Sequence, residues 1–309
     1  MELRDLHSLI GIAETGSLSG AARKLNLTQP ALSASLKRLE QELNVLLVRR
    51  HSRGAALTEE GKYVLQKSYH IVRDVAEVVS VVDGLAEEPI GLVRLGLPTT
   101  IAGGLIPEFF PMLRSRYPQI RLNIIEAMSG RLAELLQLGD IDLALLFDIQ
   151  PMSGLRSEPI LKEKLCLLVP SDHPMANKPG VRLDEITQLN LVLPSSANSI
   201  RKHINAACEA EGLSLNVVAD IDSFPGLVSL VKGGHCTILP TYLAMQQAHQ
   251  GKIVALDIMR PNLEWTIHLA SRHDATRPRA SLVTGQLLTQ ACKTLVQDGI
   301  WPGEIINRA

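Results

Sequence analysis

The stretch Ser17–Ser33, which reads SLSGAARKLNLTQPALS, decides the fold of the N-terminal region. Ser17 or Ser19 is a suitable N-cap for a helix that turns Ala21 and its small neighbours inward. Thr28 is a suitable N-cap for the next helix. Pro30 stands in the first turn of that helix, where a missing backbone N–H is tolerated. The spacing predicts two short helices joined by a tight turn.

The helix that begins near Thr28 has two distinct faces. Its apolar stripe is formed by leucines at intervals of four and three residues, Leu32, Leu36, Leu39 and Leu43. Gln29, Ser33 and Lys37 recur every four residues on the opposite face. Side chains of this kind near a helix N-terminus read base edges when the helix lies in the major groove of DNA. We interpret the segment as the recognition helix of a helix-turn-helix.

The flanking residues complete a small DNA-binding domain. Two short strands are predicted at Leu46–Arg49 and Ala55–Leu57, and Arg53 lies at the glycine-flanked tip between them, where it suits a minor groove. Lys37 and Arg38 lie further along the recognition helix, where phosphates would run. Residues 1–70 carry ten basic and seven acidic side chains, although the whole chain has a net charge of −1. A basic head on an acidic body favours a polyanionic partner.

A long amphipathic helix is predicted after Thr58, ending at the hinge Glu87-Glu88-Pro89. Its apolar positions alternate in steps of four and three, at Val64, Ser68, Ile71, Val75, Val78, Val82 and Leu85. This spacing is typical of a coiled-coil seam with one polar interruption, so the helix needs a partner. We therefore predict that it dimerises the protein.

The rest of the chain alternates strands with helices, which predicts an α/β domain with mostly parallel sheets. The four cysteines lie far apart and are interpreted as free thiols in a reducing cytoplasm, at Cys166, Cys208, Cys236 and Cys292. We expect a cytoplasmic protein without signal peptide or membrane span. Enzyme motifs and metal-ligand spacings are lacking in the sequence. We therefore expect no catalysis, no metal and no resident cofactor.

Several of these segments together resemble the LysR-type transcriptional regulators. The run Ala21-Ala22 to Ser33, with Leu39-Glu40, Arg53-Gly54 and Leu57-Thr58 after it, is similar to the family's winged helix-turn-helix and linker. Later segments resemble its effector domain, namely Gly96–Thr100, Leu136–Leu145, Pro194-Ser195-Ser196, Asp222-Ser223 and Gly233–Pro240. The sequence departs from the family at Ala34, where many members have a basic or polar residue, and at His235-Cys236. The roles of His235 and Cys236 stay open.

The resemblance implies three parts. Residues 1–58 form an all-α winged helix-turn-helix, residues 59–88 a linker helix for dimerisation, and residues 89–309 an effector-binding domain. That domain would fold like periplasmic binding proteins, with Rossmann-like subdomain I over about 91–161 and 267–300, and subdomain II over about 162–266. The resemblance carries over DNA contacts to Gln29, Pro30, Ser33 and Arg53, while Thr28, Lys37 and Arg38 follow from their places on the helix.

The implied effector site lies in the cleft between the two subdomains. Thr99 and Thr100 end the first strand and open a helix, so free N–H groups and hydroxyls would face an anion there. Ser129 is predicted beside them, with Ser195 and Ser196 on the opposite side of the cleft. Phe147 is either a core residue or part of the wall that contacts the ligand. A small organic anion is the expected effector. The expected partners are double-stranded promoter DNA, further copies of the chain in a dimer or a dimer of dimers, and RNA polymerase.

Two alternatives stay open at this point. The first is a solute-binding module whose N-terminal helices serve only to oligomerise it. The second is a redox-responsive regulator of the same family, although no second cysteine lies near Cys208 in the sequence. No motif that we identify encodes the identity of the effector, the target genes or the choice between activation and repression.

Overall fold

The computed structural model describes residues 1–51, 54–83, 89–149, 154–248, 251–273 and 278–306. The chain forms two compact units, Met1–Ala86 and Glu87–Ala309. This division lies close to the predicted end of the linker helix at residue 88, and the predicted boundaries of the three parts stay predictions.

The first unit consists of helices followed by a two-stranded wing. Its elements are α1 (Leu3–Thr15), α2 (Leu18–Lys24), α3 (Gln29–Leu43), β1 (Val48–His51), β2 (Gly54–Leu57) and α4 (Glu59–Asp83). Ser17 caps α2 through Gly20 N at 3.1 Å, and Thr28 caps α3 through Ala31 N at 3.4 Å. The predicted stripe of α3 is buried at Leu32, Leu36 and Leu39, whereas Leu43 at the helix end is exposed.

The wing is fixed to α3 and α4 by a few polar contacts. Glu40 Oε1 accepts hydrogen bonds from Leu47 N at 2.8 Å and Val48 N at 3.2 Å. The Thr58 hydroxyl donates to Leu46 O at 2.7 Å and accepts from the N–H of Gly61 at 2.9 Å. These contacts seat the first turn of α4 directly against the strand that follows the recognition helix.

The apolar stripe of α4 divides into two stretches. Val64 packs against the core of the first unit, and Ser68 is buried with its hydroxyl on Val64 O at 2.7 Å. Ile71, Val75 and Val78 are exposed in the single chain. The Val82 side chain and Leu85, also assigned to the seam, lie outside the described residues. An apolar row left exposed on a long helix is available for a partner.

The second unit has seventeen further elements in the described ranges. Its first half contains β3 (Gly91–Leu97), α5 (Thr99–Arg116), β4 (Ile120–Glu126), α6 (Ser129–Leu138), β5 (Leu143–Phe147) and β6 (Leu155–Pro170). Its second half contains α7 (Leu183–Ile186), β7 (Leu191–Leu193), α8 (Ser199–Ala210), β8 (Val217–Asp220), α9 (Phe224–Lys232), β9 (Thr237–Pro240), α10 (Thr241–Ala248), β10 (Ile253–Asp257), β11 (Glu264–Arg272), α11 (Arg279–Gln297) and β12 (Gly303–Ile305).

The sheets are mixed, so the prediction of mostly parallel sheets is wrong. β3 pairs in parallel with β4 and β5, and β7 pairs in parallel with β8. The long strand β6 is antiparallel to β9, β10, β11 and β12, and β11 is antiparallel to β5. The reason is that β6 and β11 pass straight from one subdomain to the other, and a strand that crosses over and one that returns run in opposite directions.

These two crossing strands join the two α/β subdomains. Their register shifts between Ile267 and His268, beside the predicted exchange points near 161 and 267. Parallel strands lie beyond the shift on either side, with β3, β4 and β5 in one subdomain and β7 and β8 in the other. The ends of these parallel strands and the helices that follow them therefore meet where the subdomains face each other.

Candidate DNA interface and effector cleft

The N-terminus of α3 presents an exposed polar surface. Thr28, Gln29 and Pro30 are exposed, and Ser33 is half-buried one turn further on. The Ser19 hydroxyl donates to Gln29 Oε1 at 3.2 Å, which holds the amide at the surface. All four residues were predicted as DNA contacts, and the structure places them in the N-cap and first turns of α3.

Basic side chains surround this surface. Lys37 is exposed two turns along α3, as predicted from its spacing. Arg50 on β1 was not predicted, and its guanidinium lies 3.5 Å from Ser33 Oγ. The sequence signal that could have identified Arg50 was its place beside Arg49 in the first strand of the wing. Arg53 lies outside the described residues, so its predicted minor-groove contact stays a prediction.

Arg38 has a partner within the domain. Its Nε donates to Asp5 Oδ2 at 3.1 Å, and a second guanidinium N–H donates to Asp5 Oδ1. Ser35 also donates to Asp5 Oδ1, at 2.6 Å. Burial alone would raise the pKa of Asp5, but the hydrogen bonds from Arg38 and Ser35 outweigh this effect and lower the pKa to about 2. Arg38 thus ties α3 to α1, and its predicted phosphate contact stays a prediction.

The second unit contains a cleft that is built from the starts of helices. Its twelve lining residues are Pro98, Thr99, Thr100, Ala127, Met128, Ser129, Phe147, Asn198, Ser199, Ile200, Phe224 and Trp265. They include the first residues of α5, α6, α8 and α9, and none of them carries a formal charge. Helix N-termini present unpaired N–H groups and a partial positive charge, so four of them at one cleft favour an anion.

The hydroxyls predicted on the first side of this cleft are present in it. Thr100 is 4% exposed, and its Oγ1 has no hydrogen-bond partner among the described residues. Ser129 Oγ accepts from Phe147 N at 3.3 Å. A buried hydroxyl without a protein partner can be satisfied by a ligand oxygen that reaches it.

The opposite side of the cleft differs from the prediction. Ser195 donates its N–H to Asp222 Oδ1 at 3.0 Å, Ser196 is exposed, and neither lines the cleft. Asn198 and Ser199 occupy this side instead, and Asn198 Nδ2 lies 3.8 Å from Met128 Sδ of the other subdomain. Asn198 caps α8 through Ile200 N, and the preference of asparagine for helix N-caps was the signal that sequence reasoning missed.

Phe147 is both core and cleft wall. It is buried, and its ring stacks on Trp265 with centroids 3.8 Å apart and planes inclined by 15°. Trp265 comes from β11 and was not predicted as a site residue. The stacked pair gives the cleft an apolar aromatic floor beside its polar helix starts.

The cysteines lie away from water. All four are free and buried, and burial raises the pKa of each thiol. Cys236 belongs to the core, and its carbonyl accepts from Val192 N at 2.9 Å, while His235 is exposed in the preceding turn.

Within the described ranges, no three His, Cys, Asp or Glu side chains are grouped as a metal site requires. None of the helices described here is long and apolar enough to cross a membrane.

A winged helix-turn-helix joined to a two-subdomain domain with a cleft defines a DNA-binding regulator with an effector domain. Residues 3–62 match the family model of the bacterial regulatory helix-turn-helix protein, lysR family, and residues 86–293 match that of the LysR substrate binding domain. The chain belongs to the LysR-type transcriptional regulators. The resemblance identified from the sequence, the fold class and the function as a DNA-binding regulator with an effector domain are thereby confirmed.

Individual relatives agree with this assignment. The chain is 29% identical over 293 residues to the nitrogen assimilation regulatory protein nac of Klebsiella aerogenes, covering 94% of this chain and 95% of that protein. It is 26% identical to the DNA-binding transcriptional dual regulator OxyR of Escherichia coli, over 88% and 90% of the two chains. A full-length structure of CbnR with its target DNA has the same fold, with a TM-score of 0.69, 18% identity and coverage of 94% and 100%.

Proposed function

We propose that the protein is a cytoplasmic oligomeric regulator, without enzymatic activity, whose binding to promoter DNA changes when a small organic anion occupies the cleft. Its recognition surface is the exposed start of α3, formed by Thr28, Gln29, Pro30 and Ser33 with Lys37 beyond. Contacts to RNA polymerase belong to the same proposal, as regulators at promoters act on that enzyme.

The convergence of four helix starts on one uncharged, aromatic-floored cleft is the observation that carries the effector proposal. Helix N-termini supply hydrogen bonds to a carboxylate or sulfonate without a lysine or arginine. The unpartnered hydroxyl of Thr100 supplies one more. The Phe147–Trp265 stack favours a ligand with an apolar body over a bare phosphate.

The exposed row of α4 supports the oligomer. Ile71, Val75 and Val78 would be buried between two copies of the helix in a coiled coil. Two winged heads held in this way reach two half-sites of one operator. Four heads, from a dimer of dimers, would let an effector change the spacing of the heads and the bend of the DNA.

The redox alternative is weaker in this chain. Several relatives are named hydrogen peroxide-inducible genes activators. Oxidation by peroxide requires an accessible thiolate, but the four thiols here are buried and burial raises their pKa. The cleft instead favours ligand sensing, because its helix starts suit an anion and the Thr100 hydroxyl is available for a hydrogen bond.

A panel of small carboxylates and sulfonates, screened by thermal shift, tests the effector proposal. Thr100→Val keeps the shape of the side chain and deletes the hydroxyl, so affinity for a hit should fall by about 1–3 kcal/mol. Thr284→Val is the matched control, because Thr284 on α11 is also buried and its hydroxyl has no hydrogen-bond partner in the described part of the chain, but it does not line the cleft. Equal affinities of the wild type and Thr100→Val would remove this hydroxyl from the site, and a wild type blind to the whole panel would contradict anion sensing.

A further inference from the structure

A buried carboxylate lies behind the aromatic floor of the cleft. Glu163 on β6 is 1% exposed, although Lys162 and Lys164 beside it are exposed. It lies opposite Trp265 of β11 in the sheet. Burying a carboxylate without a paired cation is costly, so its hydrogen bonds must compensate.

Each oxygen of Glu163 holds a different element. Oε1 accepts from the backbone N–H of Tyr242 at 2.8 Å, in the first turn of α10. Oε2 accepts from Trp265 Nε1 at 3.2 Å. The Tyr242 ring in turn stacks on Trp301, with centroids 4.2 Å apart. Glu163 thus connects the cleft floor to the packing of α10 behind it.

The Trp265 indole is the part of this arrangement that a ligand would meet. One of its faces stacks on Phe147, and the residue lines the cleft together with Thr100 and Ser129. The hydrogen bond to Glu163 adds a directional contact for the indole N–H, whereas the stacking on Phe147 sets only the spacing and tilt of the two rings.

We propose that Glu163 is a positioning residue for the effector cleft, which holds the Trp265 indole in its ligand-binding orientation when ionised and releases it when protonated. The effector would then be bound more tightly at mildly alkaline than at mildly acidic pH. This inference rests on the proposed function for its effect on affinity. The link between Glu163 and Trp265 itself does not depend on any ligand.

The surroundings of Glu163 place its titration in the neutral range. The ionisable groups facing it are Lys162, Lys164 and Cys166 on β6, Tyr242 on α10, Asp257 on β10, Glu264 on β11 and Glu304 on β12. Burial raises the pKa of Glu163 to about 7, against the lowering effect of its hydrogen bonds. Protonation turns one of the two acceptor oxygens of Glu163 into a hydroxyl. That oxygen then accepts its hydrogen bond, from Tyr242 N or from Trp265 Nε1, less well.

Fluorescence without ligand tests the link to the indole. The chain has two tryptophans, so W301F leaves Trp265 as the sole indole emitter in the full-length protein. Its emission should change with a midpoint at or above pH 7, because burial raises the pKa of Glu163 to about 7 and W301F removes an indole that lowers it. E163Q in the same background mimics the protonated acid and should abolish that transition. A transition that persists in E163Q, or emission that is flat in both proteins, would overturn the proposal.

Binding of benzenesulfonate tests the effect on the cleft, because this probe keeps its charge across the neutral range. Wild type should bind it about fivefold more tightly at pH 8 than at pH 6, as expected for one lost hydrogen bond. E163Q should show the weaker affinity at both pH values. W265F retains an aromatic ring without the N–H and should also be independent of pH, which keeps the test valid if E163Q folds poorly.

Two outcomes of the binding test separate the two levels of the argument. The same pH dependence in wild type and W265F, or weaker binding of wild type at pH 8, would contradict positioning by Glu163. No binding of benzenesulfonate to wild type at either pH counts against the anion proposal, while the fluorescence titration still decides the role of Glu163.

Discussion

Replacing Asp5 with asparagine removes the charge that locks the recognition helix onto α1. The Asp5 side chain is 0% exposed, and its pKa is lowered from 3.8 to about 2. That difference, at about 1.36 kcal/mol per pKa unit, corresponds to about 2 kcal/mol of stability. Since the Arg38 side chain is 40% exposed and water screens part of the interaction, we expect a loss of about 1–2 kcal/mol.

The sign of this effect fixes its pH range. A lowered pKa stabilises the folded domain above the unfolded pKa of 3.8, and the contribution is lost as the pH falls towards 2. Asp5→Asn should therefore cost the same at pH 6 as at pH 8.

Hydrogen exchange by mass spectrometry on the full chain measures this loss locally. Peptides from α1 and α3 should exchange roughly 5–30 times faster in Asp5→Asn, the ratio that 1–2 kcal/mol implies. Arg38→Ala should give a similar increase. Lys37→Ala is the matched control. Lys37 is the exposed neighbour of Arg38, so its removal should lower DNA affinity and leave hydrogen exchange of α1 and α3 unchanged.

Two results would refute this reasoning. Unchanged exchange of α1 and α3 in Asp5→Asn would show that the ion pair adds nothing to the domain. Weaker DNA binding by Arg38→Ala with unchanged exchange would instead make Arg38 a phosphate contact, as its place in the sequence predicts.

The remaining predictions concern DNA binding, assembly and oxidation. Gln29→Ala should lose about 1–3 kcal/mol of preference for specific over random DNA, whereas Arg53→Ala should weaken both alike in competition assays. With roughly four phosphate contacts per head, log affinity against log salt should have a slope on the order of −7 for two heads, and a slope near zero would contradict DNA binding. Val75→Asp buries two unpaired charges in the seam and should sediment as a monomer; an intact dimer would exclude this interface. Dilute peroxide should leave DNA binding unchanged, and a loss that Cys208→Ser prevents would revive the redox alternative.

Local signals were sufficient to predict where the helices of the helix-turn-helix begin. Caps such as Ser17 and Thr28 act within one helical turn, so the starts of α2 and α3 follow from sequence alone. The Asp5–Arg38 pair does not follow, because it joins residues 33 positions apart. Arg38 was accordingly interpreted as a phosphate contact from its helix position only.

The second unit shows where periodicity fails. The alternation of strands with helices is visible in the sequence, but short elements such as β12 and α7 carry too little periodic signal to be bounded from it. Strand direction was misjudged because nothing local distinguishes a strand that crosses between subdomains from one that returns with a helix. In the cleft, Thr100 was predicted from its place at a strand end, whereas Trp265 and Asn198 meet there only through the tertiary fold.

The most direct test of the account measures DNA affinity with the cleft empty and occupied. Binding sites would first be mapped on the genome, and fluorescence anisotropy would then follow full-length protein on one such site, with and without a saturating anion from the thermal-shift screen. We predict that the anion changes wild-type affinity or the extent of protected DNA, and that Thr100→Val binds the same DNA normally without ligand and responds only at higher anion concentration. Identical DNA binding by the wild type with and without a bound anion would contradict the claim that the cleft controls the DNA-binding heads.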